Sequence, residues 1–176
     1  MGNLNETPSA NRLHIGIYGK TNSGKSSLIN AVTKQEVSIV ADVAGTTTDP
    51  VYKPMEIHPL GPCVIIDTAG FDDDSELGER RVEKTHLAAE KTDIAVVVLD
   101  IAEVIAAKKA GIPFKKAFKD EAEWSLLFAK KHTPVVFALN KIDEILLSAE
   151  AQEKSSGKLD NAAIEAAKCW VFEENS

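Results

Sequence analysis

The chain has 176 residues, a formal net charge of −7 and 44% hydrophobic residues. That length and apolar content fit one folded domain and exclude a disordered chain, and the acidity speaks against non-specific attraction to nucleic acid or anionic membrane. No apolar run approaches bilayer length, and the polar start "MGNLNETPSANR" has neither a secretory core nor, with Glu6 in the Ser/Thr position, a myristoylation motif.

Residues 1–11 read as a polar tail, and 12–176 as a single domain. "LHIGIYG" is a short apolar strand ending in glycine, and "KSSLINAVTK" follows with helical spacing. Between them "GKTNSGKS" satisfies G-x-x-x-x-G-K-[ST], a loop whose backbone N–H groups wrap a diphosphate. Gly19, Ser23, Gly24 and Ser27 belong to that cradle. Lys25 supplies a point charge to the β- and γ-phosphates, and Ser26 a hydroxyl ligand to Mg²⁺. "VYKPMEIHPLGPCVIID" reads as two extended segments joined around Pro59 to Pro62, an antiparallel edge hairpin. It ends in "DTAG", where Asp67 can hold the Mg²⁺ shell and Gly70 can bring its N–H to a γ-phosphate. The upstream "GTTTDP" offers hydroxyls that can close over the metal. Segments 41–53 and 67–80 therefore read as the mobile elements of a nucleotide switch.

"SELGERRVEKTHLAAEKT" is helical, and "DIAVVVLD" and "TPVVFALN" read as strands buried on both faces of a parallel sheet. In "IAEVIAAKKAGIPFKKAFK" the lysines 108, 109, 115, 116 and 119 form either a solvated helix surface or a docking patch for an acidic partner. "DEAEWSLLFAKKH" places Trp124, Leu127 and Phe128 on one helical face, a stripe for core packing. "NKID" follows a strand. There Asn140, Lys141 and Asp143 form a guanine-reading set, since an aspartate can accept from both the N1–H and the amine of guanine, and adenine offers no such donor pair. The whole predicts a three-layer α/β P-loop fold, a mostly parallel sheet with one antiparallel edge strand and helices on both faces. It would bind GTP and GDP, with Mg²⁺ as cofactor, and hydrolyse GTP.

"GKTNSGKSSLINAV", "VAGTTTDPVYKPMEIHPLGP" and "DTAGFDDDSELGERRVEKT" resemble GTPases of the Era/MnmE-like group, and more closely the N-terminal domain of HydF, the family of [FeFe]-hydrogenase maturation GTPases. "TTTDPVYK…E…HPLGP" is the part that points to HydF, because MnmE-like proteins have a basic residue where Thr48 stands. The resemblance implies that Asn22 ligates K⁺, with the backbone carbonyls of Ala41 and Val43 and with Thr46 completing the shell, and that Thr47 joins Ser26 on Mg²⁺. A turn residue bonding its own loop is the other reading of Asn22. Phe71 follows "DTAG" and cannot orient a water as a glutamine does; the resemblance implies that Asp73, at the position where MnmE-like relatives carry a catalytic acidic residue, is the catalytic candidate beside Lys25, Thr47 and Gly70, with a solvated acidic loop as its alternative.

By the same resemblance the partners are proteins of hydrogenase maturation, and a homodimer is admitted; the charge, the lack of a long apolar run and the two unmatched cysteines point to a cytoplasmic protein with no membrane partner and none expected among nucleic acids. Cys63 and Cys169 match no metal spacing, so no iron–sulfur cluster is expected in this chain. A tRNA-modification or ribosome-assembly GTPase, or a GTP-binding interaction module with negligible turnover, are the other functional readings. Ser148–Ala149 lies too soon after Asp143 to be the group's further guanine-contacting Ser-Ala motif, and "KCWVFEENS" reads as a last strand.

Overall fold

A computed structural model describes residues 12–34, 50–68, 85–145 and 159–175. Strand β1 (Leu13–Tyr18) runs into the Gly-rich turn and helix α1 (Lys25–Lys34). Strands β2 (Val51–Ile57) and β3 (Gly61–Asp67) form the antiparallel hairpin expected around Pro59, with turn residues 58–60 between them. A helical segment at 85–90 precedes β4 (Ile94–Asp100), which passes without a loop into α2 (Ile101–Lys109). Then come a short turn of helix, α3 (Phe114–Ala117), the helix α4 (Lys119–Lys130), strand β5 (Val135–Asn140) and helix α5 (Leu159–Asn175).

The five strands lie in the order β2-β3-β1-β4-β5. β1 pairs in parallel with both β3 and β4, β4 pairs in parallel with β5, and only β2–β3 is antiparallel. The alternation of side chains along β1 divides the core in two. Ile15 and Ile17 face α1 and pack with Ile29, Met55, Cys63, Ile65 and Val98. Tyr18 faces the other way, into a larger cluster with Val97, Leu99, Phe114, Trp124 and Phe128 from the opposite helices. The expected Trp124–Leu127–Phe128 stripe is therefore core. Phe128 is wholly buried, its ring centroid 4.8 Å from that of Tyr18, and Leu127 packs partly buried against the same cluster. The Tyr18 hydroxyl shares a 2.6 Å hydrogen bond with Thr92 Oγ1, and burial pushes its pKa up to about 12.

Two expectations change, and one open reading gains a structure. Residues 168–175, expected as a strand, belong to α5. Its Ile164, Ala167 and Val171 are buried at helical spacing, and Trp170 sits edge-on to Phe114 with centroids 5.7 Å apart. The local apolar run "WVF" has a strand's composition, but the longer Ala-rich period of 3.6 prevails. β5 is an edge strand rather than one buried on both faces: Val136 is 51% exposed. The ambiguous lysine stretch resolves into α2 and α3, where Lys109, Lys115 and Lys116 are exposed while Lys108 Nζ donates to the Ala166 carbonyl at 2.6 Å, tying α2 to α5.

Because Phe128 joins Tyr18 and Trp124 at the centre of the larger cluster, Phe128→Ala is expected to cost about 3–5 kcal/mol of unfolding free energy, measured by urea denaturation.

Candidate functional site

The parallel strands β1, β4 and β5 all end on one edge of the sheet, and each delivers a polar group there. After β1 the chain turns through Gly19 at φ 141°, Asn22 at φ 62° and Gly24 at φ 91°. A Cβ on Gly19 would press on the Val98 carbonyl and one on Gly24 on the Asn140 amide, so the loop can follow this path only with glycine at both places. Asn22 occupies the left-handed region that asparagine tolerates, which supports the turn reading of that residue while leaving its side chain exposed at the loop's tip. Lys25 is buried, its Nζ donating to the carbonyls of Gly19 at 2.9 Å and Lys20 at 2.7 Å, so its ammonium is folded back over the loop. Ser26 and Ser27 sit exposed in the first turn of α1, where free backbone N–H groups and the helix dipole favour an anion.

At the end of β5, Asn140 Nδ2 donates to the Ser23 carbonyl at 3.0 Å and to that of Gly24 at 3.4 Å. The two motifs read separately in the sequence are thus physically joined. Lys141 follows with φ 63°, and its Nζ reaches Asp100 Oδ2 at 2.7 Å, a hydrogen-bonded pair that raises the lysine pKa. Asp143 stands exposed in the helical turn 142–145. Asp100 is a participant that sequence reasoning took only for the end of a strand. One of its oxygens holds Lys141, and the other caps α2 by accepting from the Ala102 N–H at 2.9 Å. Its signal in the sequence was an acidic residue closing an apolar strand just before a helical period, an N-cap pattern.

Asp67 closes β3 opposite Ile17 of β1, next to the phosphate loop. Burial pushes its carboxyl up, opposed by the positive charges of Lys53 and Lys25. Thr68 beside it donates from Oγ1 to the Ile17 carbonyl at 2.6 Å, fixing the strand end. Gly19, Asn22, Ser23, Gly24, Lys25, Ser26, Ser27, Asp67, Asn140, Lys141 and Asp143 are therefore gathered at the carboxyl edge of the sheet. Ala41, Val43, Thr46, Thr47, Gly70 and Asp73 lie outside the described residues, as does Ser148–Ala149. A groove of about 420 Å³ between His86 and α4 contains none of these residues.

Comparison with known proteins agrees with this geometry. Residues 14–141 match the family described as 50S ribosome-binding GTPase. Among curated relatives, the tRNA modification GTPase MnmE of Laribacter hongkongensis is 35% identical over 132 residues, 74% of this chain and 26% of that protein. GTPase Der of Mycoplasmopsis pulmonis is 54% identical over 65 residues, 37% of this chain and 15% of that one. The chain thus spans about a quarter or less of the curated relatives it matches. Among solved structures, Era of Aquifex aeolicus bound to GDP·AlF₄⁻ superposes with a TM-score of 0.54 at 24% identity, covering 87% of this chain and 45% of that one. An Era complex with MgGDPNP and a segment of 16S ribosomal RNA gives 0.52 at 27% identity, covering 75% and 41%.

The raised pKa of Asp67 has a signed consequence. A carboxyl that holds its proton more tightly folded than unfolded makes stability fall as pH rises from the ordinary aspartate value, about 3.9, through the raised one. Asp67→Asn is expected to remove that decline, so its stability relative to wild type should grow across the window and level off above it. Urea unfolding between pH 3.5 and 7, a range of about three and a half units chosen to bracket the shift, measures this.

Proposed function

The chain belongs to the 50S ribosome-binding GTPase family, and from that premise we propose that it binds Mg²⁺·GTP and hydrolyses it to GDP and phosphate as a nucleotide-controlled switch. The observation that carries this reading is the Asn140 amide bonded to the Ser23 and Gly24 carbonyls, which sets a guanine-reading loop and a phosphate cradle at a fixed mutual position. A triphosphate laid along the cradle meets the loop's N–H groups and the Lys25 ammonium, and its base reaches Asp143. That carboxylate accepts from the guanine N1–H and amine, and Lys141, held by Asp100, lies beside it.

The residues fit a divalent ion at the phosphates: Ser26 at the start of α1, Asp67 at the end of β3, and Thr47 from the preceding segment would hold Mg²⁺, which neutralises charge on the β- and γ-oxygens. Asn22, exposed at the loop's tip, would hold K⁺ with Ala41, Val43 and Thr46, adding a charge where other GTPases receive an arginine. The Gly70 N–H meets the γ-phosphate, and Asp73 orients the attacking water. Lys25 works on the leaving side, where negative charge collects on the β–γ bridge.

The finer role we infer is that of the HydF family, assembly of the hydrogenase cluster, supported by "TTTDPVYK…E…HPLGP". A second reading, a GTPase acting on RNA, is favoured by the match to MnmE and by the Era complex that contains ribosomal RNA. Filter binding of tRNA and of a 16S rRNA fragment at two salt concentrations separates them. The HydF reading expects no retention at physiological salt; saturable retention there selects the RNA reading.

Asp143→Asn is expected to lower GTP affinity and raise that for xanthosine triphosphate, because the amide donates where xanthine carries an oxygen. A fluorescent-nucleotide competition assay reads the exchange of preference. For Asn22, single-turnover hydrolysis should be faster in KCl than in NaCl at equal ionic strength, by up to about a hundredfold if a full electrostatic stabiliser is involved. Asn22→Ala is expected to erase the difference between the salts while GTP still binds. Equal wild-type rates in the two salts would leave Asn22 a turn residue.

A further inference from the structure

Behind the phosphate loop lies a cavity of about 60 Å³, walled by loop residues 20–23, the end of β4, Lys141 and helix α4. Two polar atoms of residues on that wall have no hydrogen-bond partner among the described residues: Ser23 Oγ and Glu121 Oε2. Both residues are almost wholly buried, Ser23 at 5% and Glu121 at 1% exposure. A carboxylate removed from water to that degree is costly unless a charge or donors compensate it. Its own backbone N–H supplies one bond. Of the two ammonium groups at the cavity, Lys141 is committed to Asp100 at 2.7 Å.

Lys20 is not so committed. Its ammonium reaches the Ala117 carbonyl at 3.5 Å, the outer limit of a hydrogen bond, and stands 5.2 Å from the centre of the Phe118 ring. Burial pushes the Glu121 carboxyl above the usual carboxylate range; the Lys20 charge opposes that shift, while Asp120 and Glu103 add to it. Lys20 also occupies a critical point of the backbone, since its carbonyl accepts from Lys25 Nζ at 2.7 Å. Whatever restrains the Lys20 side chain therefore restrains the carbonyl that aims Lys25.

We propose that Glu121 is a positioning residue for the phosphate loop: its buried carboxylate draws the Lys20 ammonium and the Ser23 hydroxyl across the cavity and so fixes the backbone that orients Lys25. The inference rests on the nucleotide-binding reading of the loop. It assigns to α4, which carries none of the nucleotide motifs, the task of holding the loop from behind. A neutral residue of the same shape would fill the space and leave Lys20 held only by the Ala117 carbonyl and the Phe118 ring.

The test is a double-mutant cycle on the whole chain with Glu121→Gln, Lys20→Met and the pair, each checked for folding by thermal melting. Two quantities are read: the dissociation constant of N-methylanthraniloyl-GDP, and amide hydrogen exchange of residues 20–24 without nucleotide. Each single substitution should weaken binding and speed loop exchange by about tenfold, the scale of a hydrogen bond to a charged group. The double variant should be no worse than either single one, because both break the same tether. Effects that multiply to about a hundredfold in the pair, or wild-type loop exchange in Glu121→Gln, overturn the proposal. Lys20→Met changes a half-buried position and reports alone if the Glu121 variant does not fold; wild-type exchange in it also overturns the proposal. Absence of nucleotide binding by the wild type, with coupling preserved in the exchange data, would sink the GTPase reading and leave the tether standing.

Discussion

The amide of Asn140 is the constraint on which the site's geometry depends. It donates to two consecutive carbonyls of the phosphate loop, Ser23 and Gly24, from a strand two places away in the sheet. Strands are spaced by about 4.8 Å, so β1 and β5 emerge roughly 10 Å apart across β4, within reach of a short side chain and a loop that curls back. The approach is close enough that Gly24 cannot carry a side chain: a Cβ would strike the very amide that holds the loop. The second glycine of the phosphate motif and the asparagine of the guanine motif are therefore two halves of one contact, 116 positions apart in the chain.

β4 supplies the platform between them. It ends in Asp100, whose two oxygens are spent on different elements, one on the first turn of α2 and the other on Lys141. Lys141 adopts a left-handed φ of 63°, which costs a non-glycine residue about 1 kcal/mol or more. A half-buried pair at 2.7 Å offsets that cost and turns the lysine stem along the loop. The same carboxylate thus starts a core helix and strains a binding loop into place, so packing on one face of the sheet is tied to geometry at its edge.

These relations explain what could be read from the sequence and what could not. The cradle was legible because Gly19 and Gly24 hold positive φ angles, and a left-handed turn leaves a local signature even where distant groups, Val98 and Asn140, also crowd it. The β2–β3 hairpin was legible from prolines and alternation. The strand expected at 168–175 failed because "WVF" was weighed in a short window, while burial of Ile164, Ala167 and Val171 follows a helical period that starts earlier. β5 looked like an interior strand because its composition records apolar contacts along it, whereas position in a sheet is decided by pairing with residues far away. Asp100's tie to the guanine motif was missed for the same reason: it is a contact with Lys141, 41 positions distant, for which a single sequence carries no mark.

The sheet register also arranges what the frame must control. Val51 stands opposite Asp67 in the antiparallel pair, and Asp67 stands opposite Ile17 in the parallel one. The start of β2, the end of β3 and the end of β1 are therefore neighbours at one corner, with the half-buried Asp67 carboxyl acted on by the charges of Lys53 and Lys25. The chain enters β2 from the segment that carries Thr46 and Thr47, and leaves β3 toward Gly70 and Asp73. The antiparallel pairing of β2 with β3 joins the start of one strand to the end of the other at that corner. Among the described strands only β2 runs antiparallel to its neighbour, and that reversal is what brings the start of one strand and the end of the next to a single corner.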